Sequence, residues 1–249
     1  MKLLLVHWGA ILYCHQSVTD FIEILTRAGD ESLLPFFMKS FIFTGGIACG
    51  KSSAANAIAQ HFGSRAVFFS ADLEAQHWLD NHAVMDELVK KFGNEAVNVG
   101  GGSRRANRNV IRERVFGDPN ARQILESILH PLVFAALESQ HVEAEKSGVE
   151  LFLAEVPLHY ETGGSVVADL IIVLAASRAV QVRRLMERRG LNESIIEKML
   201  RSQWPIEAKV ERADIVIWND GDVAAFEAQL LTLARQLWHD ESDRNPRNP

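Results

Sequence analysis

The stretch Gly45-Gly46-Ile47-Ala48-Cys49-Gly50-Lys51-Ser52 decides the fold of this chain. It matches the pattern G-x-x-x-x-G-K-[ST] of a phosphate-binding loop at every specified position. The apolar residues 41–44 before it predict a strand, and the Ala-rich residues 53–60 after it predict a helix. Glycines let backbone N–H groups approach phosphate oxygens, and the helix N-terminus adds partial positive charge. The stretch therefore predicts a nucleoside triphosphate site, with Lys51 on the β- and γ-phosphates and the Ser52 hydroxyl on Mg²⁺.

Composition and charge narrow the class of protein. The chain has 249 residues, of which 47% are hydrophobic and 23% charged, as in soluble globular proteins. Its formal net charge of -6 argues against a nucleic-acid-binding surface. The two cysteines, Cys14 and Cys49, give no disulfide framework or metal-ligand spacing, so we expect a reducing, cytoplasmic setting and no structural metal.

The two ends of the chain differ from its middle. Residues 1–37 precede Met38 and the first predicted strand, and we expect them to be an extension outside the core. Their apolar beginning is too short to span a bilayer, and His7 and Trp8 interrupt it, so neither export nor membrane attachment is expected. An amphipathic docking helix is the alternative. The polar residues 241–249 are predicted to be a disordered tail.

Continuous apolar runs indicate a buried parallel sheet with helices between its strands. The predicted strands are residues 41–44, 66–69, 150–156, 170–174 and 215–218. The fold class is therefore α/β, with a doubly wound sheet. The interval between the second and third strands is too long for one helix, so a helical insertion is expected over about residues 73–148.

Asp72 follows the second predicted strand, where ligands of open α/β sheets gather. A carboxylate there can take a proton from an acceptor hydroxyl or hold a metal-bound water. The structural alternative is that Asp72 is the N-cap of the helix that follows. The spacing does not decide between these interpretations.

Basic residues form two further candidate sites. Arg108 and Arg112 lie four apart within an Arg-rich run, on a face that can hold an anionic substrate or simply be solvated. Arg184 and Arg188 have the same spacing, and their face can stabilise a transferring phosphoryl group or form exposed ion pairs. His130 precedes Pro131, which is expected to begin or end a helix, and His130 itself can be a buried hydrogen-bonding group.

Together these residues resemble the dephospho-CoA kinase family, from about residue 39 to about residue 238. The matching motifs are Thr44 to Ser52 for T-G-G-I-G-S-G-K-[ST]; Ser70-Ala71-Asp72 for D-A-D; Arg108, Ile111, Arg112, Val115 and Phe116 for R-x-x-[LI]-R-x-x-[VI]-F; Leu129-His130-Pro131 for L-H-P; Pro157-Leu158-His159-Tyr160-Glu161 for P-L-[LH]-[FY]-E; Gln181, Arg184 and Arg188 for the lid motif Q-x-x-R-x-x-x-R; and Gln203, Lys209, Ala213-Asp214, Asn219 and Gly221 for the closing motif.

The resemblance implies a P-loop kinase with a five-stranded parallel core, a CoA-binding insertion and a lid over about residues 178–205, within a domain spanning residues 38–240. It implies transfer of the ATP γ-phosphate to the ribose 3′-hydroxyl of dephospho-CoA, the last step of CoA synthesis, by a monomer or small homo-oligomer. The implied ATP-binding residues are Gly45, Gly46, Ala48, Cys49, Gly50, Lys51, Ser52, Ser53 and Asn219. The implied catalytic residues are Asp72, Lys51, Arg188 and Arg184, and the implied acceptor-binding residues are Arg108, His130 and Glu161.

Three positions depart from the family pattern. Ser70 stands where the family has the first Asp of D-A-D, Ala48 replaces a loop glycine, and Cys49 replaces a serine. Two other functions stay open. A kinase of another small metabolite, such as a nucleoside, would share the loop, and a nucleotide-binding regulator of weak catalytic power would be consistent with Ser70.

Overall fold

The computed structural model describes residues 3–7, 10–14, 38–100, 102–164, 166 and 168–237. It divides into two compact units, one comprising Met1–Phe68 and Ala144–Pro249, the other Phe69–Glu143. The second unit overlaps the insertion expected at residues 73–148. The predicted tail 241–249 and most of the predicted extension 1–37 lie outside the described residues, so those two expectations stay predictions.

The strands of the described residues are β1 (Leu3–His7), β2 (Ala10–Cys14), β3 (Lys39–Gly45), β4 (Ala66–Ser70), β5 (Val97–Gly100), β6 (Ser103–Ala106), β7 (Leu151–Glu155), β8 (Leu170–Ala175) and β9 (Ile215–Trp218). The α-helices are α1 (Lys51–Phe62), α2 (Ala71–Leu79), α3 (His82–Phe92), α4 (Arg108–Gly117), α5 (Pro119–Ser147), α6 (Arg178–Arg189), α7 (Glu193–Arg201), α8 (Ile206–Val210) and α9 (Val223–Leu237). Short 3₁₀ turns cover Gly63–Arg65 and Asn94–Ala96.

The first unit contains a sheet with the strand order β1-β2-β9-β8-β3-β7-β4. Strand β3 is parallel to both β7 and β8, and β8 is parallel to β9. The predicted five-stranded parallel α/β core is confirmed. Strand β3 lies between β7 and β8, so the phosphate loop that follows it emerges at the middle of the sheet.

Strands β1 and β2 extend this sheet in a way that the sequence analysis did not predict. They form an antiparallel hairpin whose second strand pairs with β9, with Leu12 opposite Ile217. The alternative of an amphipathic docking helix is therefore wrong for residues 3–7 and 10–14, because both segments are strands.

Helix α1 covers the sheet beside the phosphate loop. Strands β3 and β7 are buried along nearly their whole length, which explains why their sequences are continuous apolar runs rather than alternating ones. Ala54, Ala55 and Ile58 of α1 belong to the same buried cluster as Phe41 and Phe43. Small side chains on α1 allow a close approach to the sheet. None of the helices in the described ranges is long and apolar enough to cross a membrane.

The second unit has its own small core. Val84, Leu88 and Phe92 of α3 pack with Ile111 of α4 and Leu129 of α5. The hairpin β5–β6, an element that the sequence analysis did not predict, completes this unit.

The expectation that Pro131 begins or ends a helix is wrong, because Pro131 lies inside α5. A proline in a helix interior removes one backbone hydrogen bond. Leu129, Val133 and Leu137, which share one helix face on either side of it, are all buried. The burial of that continuous face offsets the lost hydrogen bond, so the helix continues.

Candidate active site

The backbone of the phosphate loop requires glycine at two positions. Gly45 has a φ of 137°, and a Cβ there would lie 2.0 Å from the carbonyl oxygen of Leu174. Gly50 has a φ of 94°, and a Cβ there would lie 2.4 Å from Nδ2 of Asn219. Ala48 also adopts a left-handed conformation, with a φ of 59°. Alanine therefore adopts a left-handed conformation at a position where the family pattern has glycine. This conformation costs backbone strain that glycine would not incur.

Lys51 begins helix α1 and is buried. Its ammonium donates a hydrogen bond of 2.8 Å to the carbonyl oxygen of Gly46, inside the loop. Lys51, which the sequence assigns to the phosphates, therefore bonds to the backbone of the loop in this structure. A rotatable four-carbon stem allows this ammonium to exchange a carbonyl for phosphate oxygens.

Cys49 is fully buried in the loop. Burial raises the pKa of the Cys49 thiol, against the opposing influence of the Lys51 charge. The thiol is therefore neutral at physiological pH and is not a nucleophile. It fills space under the loop, as the serine of the family pattern would.

Ser52 contacts a carboxylate that the sequence analysis missed. Its hydroxyl donates a 2.7 Å hydrogen bond to Oε1 of Glu155, the last residue of β7. Glu155 is 4% exposed, and the register places it opposite Phe43 of β3. A hydroxyl and a carboxylate oxygen side by side are ligands that Mg²⁺ prefers. An acidic residue that ends a buried apolar strand was the signal for this site in the sequence.

Asn219 and Arg184 donate hydrogen bonds to backbone carbonyl oxygens in the middle of the phosphate loop. Asn219 follows β9, and its Nδ2 donates to the carbonyl oxygen of Cys49 at 3.0 Å. Arg184 of α6 donates to the carbonyl oxygen of Ala48 at 3.2 Å and to Oδ1 of Asn219 at 3.1 Å. Burial, and after it the charge of Arg188, lowers the pKa of the Arg184 guanidinium. These bonds support the peptides next to the left-handed Ala48.

Glu161 lies in the segment that follows β7. Its Oε1 accepts from Nζ of Lys209 at 2.8 Å and from the backbone N–H of Trp204 at 2.9 Å. Its Oε2 is buried and has no hydrogen-bond partner among the described residues. A contact between Glu161 and an acceptor molecule stays a prediction, because Oε1 is already bonded and Oε2 is buried.

The interpretation of Asp72 as a helix N-cap is wrong. The N-cap of α2 is Ser70, whose hydroxyl accepts from the backbone N–H of Leu73 at 3.4 Å. Asp72 lies in the first turn of α2 and is exposed. Serine is a good capping residue, so Ser70 retains a local structural role where the family pattern has aspartate.

The proposed acceptor-binding residues Arg108 and His130 both belong to the second unit. Arg108 donates to Oδ2 of Asp80 at 3.0 Å and to the carbonyl oxygen of Gln76 at 3.3 Å. His130 is half-buried, and its ring centroid lies 5.9 Å from that of Phe134. Their contact with an acceptor stays a prediction, as does the role of Arg188, which is exposed on α6.

Several arginines in the run that contains Arg108 already form ion pairs with carboxylates. Arg104 pairs with Asp86 at 2.8 Å, and Arg114 pairs with Glu95. Within the described ranges no cluster of three or more His, Cys, Asp or Glu side chains could hold a metal ion by itself. A metal at the Ser52–Glu155 pair would therefore need ligands from a bound nucleotide or water, which is the usual arrangement for Mg²⁺.

Comparison with known proteins decides the family. The family model described as dephospho-CoA kinase matches residues 41–225. The chain belongs to the dephospho-CoA kinase family. A dephospho-CoA kinase of Anaeromyxobacter dehalogenans is 33% identical over 213 residues, which cover 85% of this chain and 98% of that protein. One from Gloeobacter violaceus is 34% identical and is covered to 87% of its length.

Two solved structures share the fold of this chain, and one of them is a dephospho-CoA kinase. A dephospho-CoA kinase from Campylobacter jejuni has a TM-score of 0.57 and 28% identity, over 80% of this chain and 96% of that one. TT1252 from Thermus thermophilus has a TM-score of 0.65 and 28% identity, over 81% of this chain and 99% of that one. The family is a kinase family, so its members use a nucleotide, in keeping with the phosphate loop.

Proposed function

We propose that this chain transfers the γ-phosphate of ATP to the ribose 3′-hydroxyl of dephospho-CoA, giving CoA and ADP. The observation that supports phosphoryl transfer most directly is the 2.7 Å hydrogen bond between Ser52 and Glu155. This pair lies beside the phosphate loop, whose buried Lys51 bonds to the carbonyl oxygen of Gly46. The family assignment supports dephospho-CoA as the acceptor, because the relatives are named for it. The loop alone would fit many kinases.

The loop backbone would hold the phosphates. The N–H groups from Lys51 to Ser53 lie in the first turn of α1, and those from Ala48 to Gly50 directly precede it, where the helix dipole favours negative charge. Lys51 would leave the Gly46 carbonyl and bind β- and γ-oxygens. Asn219, already bonded to the loop through the Cys49 carbonyl, is proposed to border the adenine of ATP.

Ser52 and Glu155 are the residues that would hold Mg²⁺. Both supply oxygen, and their oxygens already lie 2.7 Å apart. Mg²⁺ bound there would supply positive charge to neutralise the β- and γ-oxygens. The carboxylate of Glu155 keeps the Ser52 hydroxyl oriented toward it.

Asp72 is proposed as the base that takes the proton from the 3′-hydroxyl. It is exposed in the first turn of α2, so neither a hydrophobic pocket nor a capping bond removes its capacity to accept. Arg108, His130 and Glu161 are proposed acceptor contacts.

Arg188 and Arg184 would stabilise charge on the transferring group from the lid helices α6 and α7. Arg184 already reaches the loop carbonyl of Ala48, whereas Arg188 is exposed. Closure of the lid would exclude water, which is the competing acceptor.

An acceptor panel tests this proposal. Purified protein with ATP and Mg²⁺ is expected to release ADP with dephospho-CoA and not with a nucleoside or with water alone. ADP release with a nucleoside instead would favour another small-metabolite kinase. ATP binding without ADP release on any acceptor would favour a regulator.

The cytoplasmic location stays a prediction, and vesicle binding compared with and without residues 1–37 tests the absence of membrane attachment.

A further inference from the structure

Lys209, on the short helix α8, is the most deeply buried cation of the described residues in the first unit, with an exposure of 0%. Its ammonium lies within hydrogen-bond distance of the carbonyl oxygens of Gly45 at 3.3 Å and Pro157 at 3.2 Å. It also pairs with Oε1 of Glu161 at 2.8 Å. Three acceptors match the three N–H donors of an ammonium. A buried charge is tolerated only when it is satisfied in this way.

The three acceptors belong to segments that meet at the phosphate loop. Gly45 ends β3 and opens the loop, while Pro157 follows β7, two residues after Glu155. The hydroxyl of Thr44 donates to the same carbonyl of Pro157 at 3.3 Å. Lys209 thus ties together the ends of the two strands that carry the loop and the carboxylate of Glu155.

The Gly45 peptide is held on both sides. Its Cα lies so close to the Leu174 carbonyl that a Cβ would be 2.0 Å from that oxygen, and its own carbonyl faces Lys209. A peptide unit is planar, so fixing the Gly45 carbonyl also fixes the amide of Gly46. The carbonyl of Gly46 is in turn the group that holds Lys51. Two lysines therefore orient consecutive carbonyls at the start of the loop.

Glu161 connects this arrangement to the predicted lid. The oxygen that pairs with Lys209 also accepts from the backbone N–H of Trp204, at the end of the lid segment 178–205. One carboxylate oxygen therefore holds both the lysine that orients the loop and the point where the lid returns to the core. Arg212 lies 5.1 Å over the ring of Trp204 and adds a further contact there.

We infer that Lys209 is a positioning residue for the phosphate loop, which it orients through the Gly45 carbonyl while Glu161 holds Lys209 and the C-terminal end of the lid. Lys209 touches no substrate in this scheme. The expected effect of Lys209 on turnover rests on the proposed function, whereas its expected effect on nucleotide binding rests on the phosphate loop alone.

The test compares three variants, Lys209→Met, Glu161→Gln and the double variant. Binding of a non-hydrolysable ATP analogue with Mg²⁺ is measured by calorimetry, together with the melting temperature. Lys209→Met is expected to weaken binding about 10- to 100-fold, as for the loss of one hydrogen bond to a charged phosphate oxygen, and to lower the melting temperature because Glu161 is left unpaired. Glu161→Gln is expected to bind the analogue within about twofold of the original, because both carbonyl contacts of Lys209 remain.

The double variant separates positioning from simple stability. It contains no unpaired buried charge, so its melting temperature should recover, while its analogue binding should stay as weak as that of Lys209→Met. Recovery of both would overturn the inference, and so would equal losses of binding in Glu161→Gln and Lys209→Met. The pair Arg65→Met and Glu150→Gln, from an exposed ion pair at 3.1 Å, is the matched control and should change neither quantity. Analogue binding needs no acceptor, so a wrong acceptor would leave this test intact.

Discussion

Replacing Glu155 by glutamine separates the charge of this carboxylate from its shape. Glu155 is 4% exposed and accepts the Ser52 hydroxyl at 2.7 Å. Glutamine has the same length and keeps an oxygen acceptor, so the hydrogen bond changes from charge-assisted to neutral. Hydrogen bonds to charged groups contribute ~1.5–3 kcal/mol and neutral ones ~0.5–1.5 kcal/mol, so we expect the free energy of unfolding to fall by about 1 kcal/mol.

The effect on Mg²⁺ should be larger than the effect on stability. Loss of a carboxylate that binds or orients a metal ligand typically weakens metal affinity ~10- to 100-fold. The Glu155→Gln variant should therefore need about 10- to 100-fold more Mg²⁺ to reach half of its maximal rate at saturating ATP. The assay is ADP release against Mg²⁺ concentration, with a melting curve for each protein.

Glu150→Gln is the matched control. Glu150 directly precedes β7 and pairs with Arg65 at the surface, so the same chemical change should leave the Mg²⁺ dependence unaltered. An original Mg²⁺ dependence in Glu155→Gln would refute the assignment of this carboxylate to the metal site. A general loss of rate that Mg²⁺ does not restore would refute it equally.

Three further predictions follow from the same geometry. Asp72→Asn should lower kcat by ~10²–10⁴-fold with an unchanged melting temperature, and unchanged turnover would remove Asp72 as the base. Gly45→Ala should cost about 3 kcal/mol or more of unfolding free energy, because its Cβ would meet the Leu174 carbonyl at 2.0 Å; Gly190→Ala, in the left-handed helical conformation with open space around it, should cost about 1 kcal/mol, and equal losses would contradict the steric argument. Cys49 should be alkylated far more slowly in the folded protein than in the unfolded one at mildly alkaline pH, since its side chain is fully buried and burial raises the pKa of its thiol; equal rates by mass analysis of the Cys49 peptide would show that the thiol is accessible.

The sequence predicted the features that depend on local pattern. The phosphate loop follows from eight consecutive residues, and the parallel strands follow from continuous apolar runs. Gly45 and Gly50 could be assigned to the loop because their positive φ values are a property of the motif. These are the features that short-range sterics and burial determine.

The sequence did not predict features that depend on distant partners. The role of Glu155 depends on Ser52, and that of Lys209 depends on Gly45, and these partners are 103 and 164 positions apart in the sequence. The pairing of β2 with β9 is equally remote in the sequence. An acidic residue at the end of a buried apolar strand is a local signal for Glu155 but does not identify its partner, and nothing local distinguishes Lys209 from an ordinary helix lysine.

One local expectation, for Pro131, and one open alternative, for Asp72, were wrong for a different reason. Pro131 lies within α5 because the buried face around it outweighs one lost hydrogen bond. The cap of α2 is Ser70 rather than Asp72, a difference of two residues that depends on where the strand β4 ends. Element boundaries depend on tertiary packing, which a local pattern does not contain.

Product analysis with dephospho-CoA tests the central claim most directly. The protein is incubated with Mg²⁺, dephospho-CoA and ATP that carries a labelled γ-phosphate, and the acceptor is recovered for mass analysis. Dephospho-CoA is expected to gain one labelled phosphate on its ribose 3′-oxygen. Label found only in free phosphate, with the acceptor unchanged, would contradict this expectation.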